Sequence, residues 1–101
     1  MGEFIKLEEA VVITHAFQNS EIGKDQTISA IFEKEILTQI LNQEGCEGIR
    51  LYNALKEGDK LTYVLVGYDK DKNDMTDGYI ADLFSTCPKI CYGGDSPLKT
   101  E

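Results

Sequence analysis

The sequence predicts an α+β domain, with two N-terminal helices packed on a small antiparallel β-sheet made of a hairpin over 48–68 and a third strand over 79–84. Three observations carry this. Apolar residues recur at helical spacing twice before residue 45; the period changes to two across 48–68; and Gly58-Asp59 lies between the two alternating runs. With 101 residues the chain holds one domain, 1–101, whose tail from about residue 92 has turn composition and no periodicity.

Leu7, Ala10, Val11, Thr14 and Phe17 mark the first helix, and Glu8 and Glu9 in its first turn complement the helix dipole. Asn19, Ser20 and Gly23 break it. The second helix reads from a wide apolar stripe, Ile28, Ile31, Phe32, Ile36, Ile40 and Leu41, opposed by Glu33, Lys34, Glu35, Gln39 and Gln43. Thr27 or Ser29 caps its start, and Gly45 is the glycine that ends it.

In the hairpin, a two-residue Gly58-Asp59 turn sets Glu57 opposite Lys60 as a charge pair. That register places Ile49, Leu51, Asn53 and Leu55 on one face with Thr62, Val64, Val66 and Tyr68. Arg50, Tyr52 and Ala54 then share the other face with Leu61, Tyr63 and Leu65. A three-residue loop would shift the pairing by one and keep the alternation within each strand. Ile36, Ile40, Leu51 and Val64 are the expected core. Residues 78–84 are short and apolar and read as a strand in preference to a helical turn.

A net charge of −8, one arginine and lysines scattered among acids exclude a nucleic-acid partner and an anionic membrane surface. The first residues lack a basic segment leading into an apolar run, no stretch reaches membrane-span length, and Lys6 stands where an acylation signal has Ser or Thr. With three cysteines, an odd number, the expectation is a cytoplasmic protein. One histidine, no nucleophile elbow and no phosphate-cradling glycine loop leave no recognisable catalytic constellation, and no cofactor is expected.

Three strings carry chemistry on paper. Cys87-Pro88-Lys89-Ile90-Cys91 spaces two thiols by three residues, one more than the thioredoxin-type motif, and a structural turn explains it better than a disulfide, a redox role or metal ligation. Adding Cys46 and His15 gives the one Cys₃His set that this composition permits for zinc. Asp69, Asp71 and Asn73 match the first oxygen positions of a calcium loop, but Asp74 replaces its turn glycine and Ile80 its closing glutamate, so a solvated turn fits better.

The strongest remaining signal is a second apolar sheet face. Arg50, Tyr52, Leu61, Tyr63 and Leu65 have the composition favoured at interfaces and form a candidate interface. Either the C-terminal segment around Ile80, Leu83, Phe84 and Ile90 covers it, or another protein surface does, a homodimer included.

The strings Gln43-Glu44-Gly45-Cys46-Glu47-Gly48-Ile49-Arg50-Leu51-Tyr52, Leu65-Val66-Gly67-Tyr68-Asp69 and Asn73-Asp74-Met75, closed by Cys87-Pro88-x-x-Cys91, resemble a group of short uncharacterised bacterial proteins. The resemblance implies no activity. It does imply that Cys46, Arg50, Tyr52, Cys87 and Cys91 are group features and that the thiols act jointly. The expected function is a small acidic, non-catalytic binding or self-associating module, with a thiol redox or metal-binding protein as the alternative.

Overall fold

A computed structural model of the chain describes residues 2–24, 26–58, 60–82, 85–87 and 96–99. It is an α+β fold. Helix α1 (Leu7–Gln18), strand β1 (Ser29–Ile31) and helix α2 (Lys34–Leu41) precede strands β2 (Gly48–Lys56), β3 (Lys60–Tyr68), β4 (Ile80–Ala81) and β5 (Ser85–Cys87). β2, β3 and β4 form an antiparallel sheet in that order, and β1 pairs with β5 in a separate two-stranded ladder.

The first helix forms where its periodicity predicts. Glu9 Oε1 accepts from the Lys6 amide at 3.0 Å, which satisfies one of the open donors at the start of the helix. At its other end the Ser20 hydroxyl donates to Phe17 O, and Gly23 packs so closely that a Cβ there would lie 2.0 Å from the same carbonyl. No residue of α1 is buried.

The second helix is shorter than its stripe. Residues 29–31 are not helical: Ser29 pairs with Cys87, Ala30 with Thr86 and Ile31 with Ser85. The apolar positions at 28, 31 and 32 match a helical period, yet a partner strand far along the chain decides the outcome, and local periodicity cannot register such a partner. Thr27 pins this connection to β3, its buried hydroxyl donating to Leu61 O at 2.6 Å. The helix closes at Asn42 rather than Gly45, which instead takes a positive φ of 86° in the following turn.

The hairpin spans residues 48–68, with Gly48 opposite Tyr68 and Lys56 opposite Lys60. The connection is therefore residues 57–59, one longer than the two-residue turn expected from the charge pair, and Gly58 supplies φ 81° within it. This one-residue shift re-sorts the faces. Ile49, Leu51 and Leu55 lie with Leu61, Tyr63 and Leu65, while Arg50, Tyr52 and Ala54 lie with Thr62, Val64, Val66 and Tyr68. The third strand is Ile80–Ala81, paired with Val66 and Leu65. Leu83 and Phe84 lie outside the described residues.

Strand β3 is central, and the core follows it. Ile40, Leu65 and Val66 are buried. Ile36 and Val64 are only half-buried, and Leu51 is 53% exposed, contrary to the expected core. For Leu51 the reason is strand order: β2 is an edge strand, so its side chains have a neighbouring strand on one side only. Among the described residues no helix is long and apolar enough to cross a membrane.

Candidate functional site

The end of α2, the start of β2 and the turn after β3 meet in one junction. Gly67 makes it possible: a Cβ there would lie 2.9 Å from Cys46 Sγ, 3.1 Å from Gln43 Nε2 and 3.3 Å from Ile40 Cγ2, so only a hydrogen lets α2 approach the sheet this closely. Gln43 then ties the end of α2 to the segment that leads into β4. Its Nε2 donates to Ile40 O and its Oε1 accepts from the Tyr79 amide, both at 2.9 Å. Cys46 Sγ donates to Gly48 O at 3.2 Å, a local contact within the turn.

Beside this junction lies the one dense cluster of charged and aromatic groups described. Arg50 Nη1 donates to Asp74 Oδ1 at 2.5 Å, Arg50 Nη2 donates to Lys72 O at 3.1 Å, and the Tyr52 hydroxyl donates to Asp74 Oδ2. One carboxylate thereby holds two neighbouring side chains of β2 in fixed positions. Tyr52 first and Asp74 next hold the Arg50 guanidinium above its ordinary pKa, with partial burial opposing them. Its charge is permanent across the physiological range. Tyr68 supplies an aromatic floor, with Arg50 Cζ 5.6 Å and Lys72 Nζ 5.1 Å from its ring centre.

The turn that presents Asp74 has its own local logic. Asp69 Oδ1 accepts from the amides of Asp71 and Asn73 at 2.9 and 3.0 Å, and Lys72 adopts φ 69°. The turn closes on a bridge between Tyr68 and Asp74. Of the calcium-loop candidates, Asp69 thus turns an oxygen onto its own backbone, as a side chain shaping a turn does. Among the described residues no group of three or more His, Cys, Asp or Glu side chains could hold a metal ion.

Of the four Cys₃His candidates, His15 and Cys46 are the two whose side chains are described. His15 Nε2 donates to Pro97 O at 2.9 Å, which ties α1 to the C-terminal turn, and Cys46 lies in the junction. Cys87 is the last residue of β5, while Cys91 lies outside the described residues. The candidate interface residues divide between the two faces: Arg50 and Tyr52 belong to the cluster, and Leu61, Tyr63 and Leu65 lie on the α2 side, where Leu65 is core. Leu83, Phe84 and Ile90, the proposed cover, lie outside the described residues.

A shallow groove of about 280 Å³ runs along the cluster's face, lined by Ala54, Lys56, Thr62, Val64, Ile80 and Asp82. Lys56 and Asp82 pair across its rim at 2.7 Å. It is open and apolar, below the usual size of a small-molecule site. Thr62 Oγ1 is buried beneath it with no hydrogen-bond partner among the described residues, so the groove presents no polar atom there to a ligand. β2 exposes Tyr52 on this face and Leu51 and Leu55 on the opposite one.

Sequence reasoning assigns no role of their own to Gln43, Tyr68 and Asp74, although all three stand in the strings that carry the resemblance. The chain's single arginine was the available signal for Asp74, since a lone guanidinium on a sheet face calls for an acid nearby. The strings 43–52, 65–69 and 73–75, scattered along the chain, meet at this junction. No family model, curated protein or solved structure matches the chain.

Proposed function

We propose that the chain is a non-catalytic binding module that works by self-association through the β2 side of its sheet. The observation that supports this reading is a nine-residue edge strand whose apolar side chains Leu51 and Leu55 are 53% and 66% exposed on one face, while an Arg-Tyr-Asp cluster fixes Tyr52 in place on the other. An edge that carries exposed apolar side chains and a pre-positioned tyrosine and arginine has the composition of an interface, because rigid groups lose little freedom when they are covered.

Other classes of partner have less support. A chain of net charge −8 repels phosphate backbones and anionic lipid, so the partner is a protein. Its setting is the cytoplasm, where the three thiols stay reduced. Light scattering on the full chain over a range of concentrations tests the reading. A mass rising from 11.3 kDa toward twice that value is expected. A single 11.3 kDa species at every concentration would remove self-association from the account.

A further inference from the structure

The backbone of β2 shows how a second copy fits. On the far side of β3, Met75 N donates to Gly67 O at 2.8 Å and Asp69 N donates to Asn73 O at 2.9 Å, whereas Tyr68 O accepts from Glu47 N on the β2 side. Backbone groups of successive residues in an antiparallel ladder point to alternate sides. Even-numbered residues of β3 therefore face β2, and their partners Gly48, Arg50, Tyr52, Ala54 and Lys56 face back. Ile49, Leu51, Asn53 and Leu55 direct their N–H and C=O groups outward, along an edge that no described strand pairs.

We infer that β2 of one copy pairs antiparallel with β2 of a second copy about a two-fold axis through Tyr52, joining two three-stranded sheets into one of six strands. This rests on the self-association reading and names its geometry. An axis at Tyr52 sets Leu51 against the partner's Asn53 and Ile49 against the partner's Leu55, so every outward residue of the strand exchanges hydrogen bonds. An axis moved by half a residue would set outward-facing groups against inward-facing ones, and an axis moved by a whole residue would leave one outward residue of each strand without a partner in the other strand.

Charge and side-chain pairing agree with that axis. Strand β2 contains no acid, and its two cations are already paired within the chain, Arg50 with Asp74 and Lys56 with Asp82. Across the axis Arg50 meets the partner's Ala54 and Lys56 meets the partner's Gly48, so within the strand no like charges face each other. An acidic peptide would find the strand's cations occupied, and a basic one would find no acid on it. Self-complementarity favours a second copy as the occupant. A nine-residue edge with no proline and apolar exposure is also the kind of edge that stays soluble only when covered.

Cysteine scanning on the full chain tests the axis. Two residues facing each other in a pair without direct hydrogen bonds have Cα atoms about 4.5 Å apart, within the roughly 4.4–6.8 Å that a disulfide spans. Tyr52→Cys should therefore yield a covalent dimer on mild oxidation, with the 52–52 linkage identified by mass spectrometry. Leu55→Cys should give at least about tenfold less, since its two copies lie six residues apart along the ladder, about 20 Å. Equal cross-linking of the two variants, or a dimer by light scattering that never forms the 52–52 linkage, would overturn the axis while self-association stands. An untouched chain that is monomeric throughout would overturn both.

Discussion

The junction around Gly67 and the helix α1 are opposites within one small chain. At the junction, Ile40 is buried, Gln43 bonds two separate segments, and Asp74 receives both Arg50 and Tyr52. Helix α1 is apolar on its outer side as well, with Val12 and Ile13 more than half exposed, yet none of its residues is buried. His15 and Gln18 tie it to the turn at 96–99. The contrast shows that apolar periodicity forms a helix but does not by itself set what the helix packs on. Stability concentrates where a glycine lets two elements touch.

Substitutions ranked by expected effect test that contrast. Ile40→Ala removes the one fully buried side chain of α2 and should cost about 2–5 kcal/mol in a denaturation titration. Gly67→Ala forces a methyl against Cys46, Gln43 and Ile40 and should cost about 1–3 kcal/mol, with the loss partly recovered when Cys46 is also trimmed to Ala. Thr62→Val replaces a buried, unpartnered hydroxyl with a methyl of like shape and should raise stability by up to about 1 kcal/mol. Val12→Ser on the outer side of α1 should change stability by no more than about 0.5 kcal/mol. If Val12→Ser cost as much as Ile40→Ala, the two regions would not differ and the contrast would fail.

Much of the fold was legible because its causes are local. The first helix, the hairpin and the strand near residue 80 follow from period, capping and turn residues close in sequence. What was not legible depends on distant partners. Ser29–Ile31 looks helical by spacing and becomes strand only through residues 85–87. The exposure of Leu51 follows from strand order, which alternation along one strand does not encode. The hairpin register turned on one residue: the Glu57 and Lys60 charges suggested a two-residue turn, and a surface charge pair contributes too little to override the loop that Gly58 permits. For the candidate site, Arg50 and Tyr52 were visible as interface-type residues, but Asp74, 22 residues from Tyr52 along the chain, required the fold to bring it there.

The edge of β2 also divides into two kinds of residue, and hydrogen exchange reads them separately. The amides of Arg50, Tyr52 and Ala54 point into the ladder with β3 and should be protected at every protein concentration. Those of Ile49, Leu51, Asn53 and Leu55 point outward along an edge that no described strand pairs, and a second copy docked as proposed would cover them. Residue-resolved exchange at low and high protein concentration tests this most directly. The account predicts that the four outward amides slow together by at least about tenfold as concentration rises while the inward ones do not change. Outward amides that exchange at one rate across the whole range would contradict it.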